Sequence, residues 1–99
     1  MKHRTNPAAG LICDELEARA HPAARAACNM AIPRSRLRDI FAGRKGVSAD
    51  TALRFEGYLG ISAALLIRLQ AEYDLSKALV EKGPQIRREI LPAPKFALA

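Results

Sequence analysis

Residues Ile32 to Gly60 read IPRSRLRDIFAGRKGVSADTALRFEGYLG, and the reading of this stretch decides the fold. Leu37, Ile40 and Phe41 fall at i, i+3 and i+4, so they share one face of a helix and anchor it to a core. Ser35, Arg36, Arg38 and Asp39 then point outward, with Arg34 on the flank at the N-terminal end. The helix starts at Pro33 and ends before Gly43. A turn follows in which Gly43 and Gly46 bracket Arg44 and Lys45. Ser48 is a good N-cap for the next helix and Asp50 stands in its first turn, where a negative charge suits the helix dipole. That helix closes at Gly60. Between Arg34 and Arg54, the six basic residues Arg34, Arg36, Arg38, Arg44, Lys45 and Arg54 face only two acids, Asp39 and Asp50. A helix that buries one face and offers arginines from its first turn is suited to lie against a polyanion, and DNA is the polyanion expected.

Outward from this stretch the pattern is helical throughout, which predicts an all-α fold. No run alternates with period two. A first helix is expected from about Ala8 to Arg19, with Leu11, Ile12 and Leu16 inward and Asp14, Glu15 and Glu17 outward. His21-Pro22 opens a second, alanine-rich helix to about Asn29, since proline is favoured in the first helical turn. The fifth helix begins at Ser62 and carries Leu65, Leu66, Leu69, Tyr73 and Val80 on one face to about Lys82. Gly83-Pro84 is a stop signal. The division that follows is a basic N-terminal segment 1–7, a helical domain 8–82 and a C-terminal tail 83–99.

The 99 residues allow one small domain, which buries only roughly two-thirds of its unfolded surface and would gain from a dimer interface. Leu65, Leu69 and Tyr73 exceed what such a core covers, so the apolar side of the fifth helix is the expected interface of a homodimer. Sixteen Lys and Arg against ten Asp and Glu give a net charge of +6, which suits a nucleic-acid partner. A membrane partner is disfavoured: no basic amphipathic helix has large apolar anchors, and no apolar run could span a bilayer. The N-terminal MKHRTNP leads into no apolar segment of the kind found in signal peptides, so a cytoplasmic location is expected. Cys13 and Cys28 read as two reduced thiols, with no Cys-x-x-Cys spacing. Neither metal nor cofactor is called for. Enzymatic activity is not expected either, because the two histidines are not paired with a carboxylate or cysteine, and His21 reads as a helix-opening residue.

Two short helices joined by a tight turn at Asn29–Ile32, the second opening Pro-Arg-Ser-Arg, make a helix-turn-helix. In that arrangement the second helix enters the major groove and its N-terminal residues meet base edges. Arginine can bond a guanine edge in bidentate fashion, and serine can donate or accept with either base. The candidate DNA-binding residues are therefore Arg34, Ser35, Arg36, Arg38 and Asp39 on the helix, with Arg44 and Lys45 placed for phosphate.

From Asn6 to about Leu79 the chain resembles the HigA antitoxins, a branch of the XRE-type (Cro and lambda-repressor-like) helix-turn-helix proteins. The resemblance rests on IPRSRLRDIFAGRKGVSADTALRFEGYLGIS and on LQAEYDL at Leu69–Leu75. It implies a five-helix fold, a homodimer, binding to the double-stranded DNA of its own operator, and neutralisation of a HigB-type mRNA-cleaving toxin. It also implies that Arg34, Ser35, Arg36 and Asp39 face the groove and that Arg44 and Lys45 contact phosphate, while Ser48, Asp50 and Thr51 are structural. The acidic outer face of the first helix, Asp14, Glu15 and Glu17, is the expected dock for a cationic toxin.

This sequence also departs from the family pattern. Pro22-Ala23 stands where Ser-Gln is usual, the glutamine being one that touches the DNA backbone. Ala26 replaces a leucine, Ala31 the glycine of the turn, Asn6-Pro7-Ala8-Ala9 a His-Pro-Gly-Glu opening, and Ala64-Leu65 a Phe-Trp pair. An alanine at position 31 is strained by about 1–2 kcal/mol if its φ is positive. The alternatives are thus a solitary repressor of the same fold, or a toxin-binding protein whose DNA binding has weakened.

Overall fold

The structure, a computed structural model, describes residues 6–94, and every regular element among them is a helix: α1 (Pro7–Ala18), α2 (Ala23–Met30), α3 (Arg34–Phe41), α4 (Ala49–Leu59) and α5 (Ala63–Glu89). The expected all-α, five-helix architecture is what the chain adopts. Most of segment 1–7 lies outside the described residues, but Asn6 and Pro7 belong to α1. Pro7 occupies the first turn, where its missing N–H costs nothing, and the Asn6 side chain accepts from the Ala8 amide. Ser48 and Ser62 cap α4 and α5 in the same way, through the amides of Thr51 and Leu65.

The core is built from one stripe of each helix. Ile12 of α1, Leu37 and Ile40 of α3, Phe55 of α4 and Leu66 of α5 are fully buried. Phe55 is the largest of them, and its removal to alanine falls in the class that costs about 3–5 kcal/mol. Helix α2 contributes Ala26 and Ala27, also fully buried.

Three helix ends turn the chain with the same device. The amides of Ala20 and His21 return to Glu17 and Leu16, those of Ala31 and Ile32 to Cys28 and Ala27, and those of Gly43 and Arg44 to Ile40 and Asp39. Each is a Schellman closure with one residue in the left-handed region. Glycine fills that position only at 43. At the other two, Ala20 and Ala31 adopt φ of 54° and 58°. The positive φ makes the strain at Ala31 real, and Ala20 adds a second instance that its sequence context does not signal.

Helix α5 departs from expectation. It does not stop at Gly83-Pro84 but runs through both to Glu89, so residues 83–89 are helix rather than tail. Gly83 lacks the Cβ that a following proline ring would crowd, which removes much of the penalty for helix before proline. The carbonyl deprived of a partner is that of Val80, an exposed residue, so water can serve it. Val80 itself, expected on the inward face, is 80% exposed because the helix has by then outrun the core. Leu65, Leu69 and Tyr73 are half-buried. The greater apolar exposure lies further along: Leu75, Leu79, Ile86 and Ile90 are spaced to share one side of α5 and its end. The overhang gives the molecule its long dimension of 55 Å against 28 and 21 Å.

Candidate nucleic-acid interface

The alternation in α3 decides which side chains reach solvent. With Leu37 and Ile40 buried, Arg34, Ser35, Arg36 and Arg38 are exposed and Asp39 is partly so. No side chain caps the start of α3, since Pro33 occupies the N-cap position. Arg34 and Arg38, one turn apart, lie on the edge nearest α2, where with Ala23, Ala24, Leu37 and Phe41 they line a groove of about 230 Å³. Arg36 lies on the opposite edge, toward α4. Ser35 and Asp39 run between the two edges. Arg44 and Lys45 follow directly in the turn after α3 and are exposed. All seven candidate residues thus belong to one helix and the loop that leaves it.

Two of the seven are engaged with acids. Arg44 places Nε and Nη2 each 2.9 Å from Asp39 Oδ1, and its amide and that of Lys45 also return to the Asp39 carbonyl. The structure therefore gives Asp39 a partner of its own: it holds Arg44 at the end of the helix. Arg36 Nη1 stands 4.0 Å from Asp50 Oδ1, on α4. The same Asp50 oxygen accepts from Arg54 Nε at 2.7 Å. That hydrogen bond, with the Arg54 charge and then the Arg36 charge, holds the Asp50 carboxyl below the usual carboxylate range.

Behind the surface, one buried amide sets the position of the loop. Gln70 Oε1 accepts from the Val47 amide at 3.0 Å and from Asn6 Nδ2 at 3.2 Å, while Gln70 Nε2 donates to Asp74 Oδ1 at 2.9 Å. Every polar atom of this side chain is satisfied, as burial requires. Gly46 is glycine because of it: a Cβ there would come within 2.9 Å of the Gln70 amide. The glycines around Arg44 and Lys45 therefore serve two ends, the left-handed turn at Gly43 and the close approach at Gly46.

His21 lies in the α1–α2 connection with Nδ1 2.8 Å from the Tyr58 hydroxyl, which also receives Asn29 Nδ2 at 3.2 Å. It joins that connection to α4. Cys13 and Cys28 form no disulfide, and burial, with Glu17 beside it, pushes the Cys13 thiol up. Among the described residues no group of three or more His, Cys, Asp and Glu could hold a metal ion, and no helix is long and apolar enough to cross a membrane.

Neither family models nor curated protein sequences match the chain. Solved structures do. An addiction-module antidote protein of the HigA family from Coxiella burnetii is 31% identical with a TM-score of 0.75, over 89% of this chain and 96% of that one. The Pseudomonas aeruginosa antitoxin HigA, solved with the higBA promoter, is 32% identical with a TM-score of 0.78, over 88% and 96%. This chain belongs to the HigA antitoxin family. A further relative, PA4674 of Pseudomonas aeruginosa in complex with its operator DNA, is 32% identical with a TM-score of 0.75, over 87% and 92%.

Sequence reasoning did not single out two residues that organise the surface around α3. Arg54 was counted only as one more positive charge, and Gln70 only as part of the LQ motif. The Asp50–Arg54 spacing of four does signal an ion pair along a helix. Nothing local signals the bonds that Arg54 and Gln70 make to remote backbone.

Proposed function

We propose that this chain is a DNA-binding antitoxin that represses its own operon and neutralises a HigB-type, mRNA-cleaving toxin. The observation that carries the reading is the outer surface of α3. Four polar or basic side chains project from it beside an exposed Arg-Lys turn, on a fold whose relatives are solved with promoter and operator DNA. In this reading the protein acts by binding rather than by catalysis, in the cytoplasm, and as a homodimer. A dimer places two copies of α3 about 34 Å apart, one turn of DNA, and the operator is then an inverted repeat. Arg34, Ser35 and Arg36 meet base edges. Arg38, Arg44 and Lys45 neutralise phosphate, and Asp39 steadies Arg44.

A mobility-shift series on fragments of the protein's own promoter tests this. Arg34→Ala or Arg36→Ala should cost about 1–3 kcal/mol on the cognate site, the range for one bidentate base contact. Arg44→Ala with Lys45→Ala should weaken binding to every sequence and flatten the salt dependence. If all these variants bind like wild type, α3 is not the reading helix.

Ala23, standing where a glutamine is usual, favours one second reading: a toxin-binding protein that has lost operator affinity. Absence of binding to any fragment of its own operon, with growth rescue on co-expression with the toxin, would select it. The toxin contact proposed is the acidic outer face of α1. Asp14 and Glu17 are exposed there, and Glu15 is tied to Arg19 at 2.9 Å. Rescue that survives Asp14→Lys, Glu15→Lys and Glu17→Lys together would exclude that contact.

A further inference from the structure

We infer that Asp50 sets how selectively Arg36 reads DNA, a positioning role that rests on the DNA-binding reading of α3. Among the described residues Arg34, Arg38 and Lys45 form no ion pair, whereas Arg36 faces the Asp50 carboxylate at 4.0 Å. That carboxylate is held in place. Arg54 Nε lies 2.7 Å from the same oxygen, and Arg54 Nη1 donates at 3.0 Å to the carbonyl of Met30, the last residue of α2. A continuous line of polar contacts thus runs from the end of the first helix of the motif, through α4, to an arginine of the second.

In the free protein this exposed arrangement contributes little, because water screens it. Against DNA it has two effects of opposite sign. A fixed carboxylate near the duplex is repelled by phosphate at every site, cognate or not. The same carboxylate attracts one edge of the Arg36 guanidinium and leaves the other edge free for guanine N7 and O6. The repulsion is offset only where a guanine meets Arg36, so the acid widens the gap between right and wrong sites. An arginine without such a partner attaches to phosphate as readily as to guanine.

The test uses the full chain and four proteins: wild type, Asp50→Asn, Arg36→Ala and the double variant. Each is titrated against the promoter fragment, its single base-pair substitutions and a scrambled duplex. Asp50→Asn should tighten binding to scrambled DNA and cut the cognate-to-scrambled ratio by about five- to tenfold, a fraction of the discrimination one bidentate contact supplies. The loss should fall on the base pair whose identity also ceases to matter to Arg36→Ala, and should vanish in the Arg36→Ala background. Asp50→Glu, which keeps the charge and moves it, should bind scrambled DNA as weakly as wild type yet discriminate less. A purely structural Asp50 would, on replacement, weaken all duplexes alike, which would overturn the inference. So would a loss of ratio that persists without Arg36. Wild type that binds no promoter fragment overturns the DNA-binding reading and this inference together; wild type and Asp50→Asn discriminating equally overturns the inference alone.

Discussion

Arg54 on α4 closes the end of a helix it does not belong to: its Nη1 donates to the carbonyl of Met30, 3.0 Å away and 24 residues earlier. Helix ends leave carbonyls without partners, and here a guanidinium supplies one. Arg19 repeats the arrangement, with Nε on Glu15 one turn back and Nη2 on the carbonyl of Leu59 at the end of α4, both at 2.9 Å. In each pair the carboxylate aims the arginine and the arginine serves the remote helix. Replacing Arg54 by methionine, which keeps much of the stem and loses the fork, should lower the midpoint of urea unfolding, as a partly buried carbonyl loses its donor. An unchanged midpoint would mean that water replaces the arginine there.

The Asp50–Arg54 pair also makes a pH prediction. Because the folded protein holds the Asp50 carboxyl below its ordinary range, the pair's contribution is complete above that range and is lost as pH falls through the depressed value. The difference in melting temperature between wild type and Asp50→Asn should therefore be largest near neutrality and close toward strongly acidic pH. A difference that is flat from neutral to acidic pH would show that the ionised carboxylate does not contribute.

Ala31→Gly should stabilise the protein. The left-handed conformation at φ 58° costs an alanine about 1–2 kcal/mol, and glycine returns part of that gain by its freer unfolded chain. A net gain of about 0.5–1 kcal/mol, a few degrees of melting temperature in a domain this size, is expected, and the same holds for Ala20→Gly. The two sites close different helices, so their effects should add. A drop in melting temperature for either would show that the alanine methyl makes contacts worth more than the strain.

Ala23→Gln should tighten DNA binding. Position 23 is exposed, opens α2 and borders the same groove as Arg34 and Arg38, so a longer amide there reaches toward the surface those arginines define. One added phosphate hydrogen bond is worth about 1 kcal/mol, close to fivefold, and it should improve cognate and scrambled duplexes alike. No change in either would place α2 farther from the backbone than the helix-turn-helix geometry requires.

If α5 forms the dimer, Leu79→Glu with Ile86→Lys should leave the monomer folded and abolish self-association in sedimentation. Leu79 is 59% exposed and Ile86 43%, so neither substitution disturbs the core. Leu69, which packs partly against the core, is the contrasting site: charge there should unfold the domain as well. Undiminished dimerisation by Leu79→Glu with Ile86→Lys would move the interface toward Leu65 and Tyr73.

Local pattern was enough for the positions of α3 and α4, because Leu37, Ile40 and Phe41 mark a face and Ser48 marks a start within a few residues of chain. It failed where the deciding partner is remote or missing. Gly83-Pro84 is a stop in local terms, yet past Val80 no core compels the chain to turn, and a glycine before the proline lets the helix continue. The period that places Asp39 outward gives no sign that Arg44, five residues on, curls back to bond it. Ala31 was legible as a strained turn only by comparison with a glycine in the family pattern. Ala20, in the same conformation, had no such pattern beside it.

Gln70 has a mechanical meaning beyond its satisfied hydrogen bonds. A single oxygen receives the cap residue of α1 and the backbone that leaves the Arg44–Lys45 turn, and the side chain is rooted in the helix whose far half stands clear of the body. The three segments cannot slide past one another without breaking that junction. The loop that leaves α3 is thereby kept in register with the start of α1 and with the packed half of α5 by one shared acceptor.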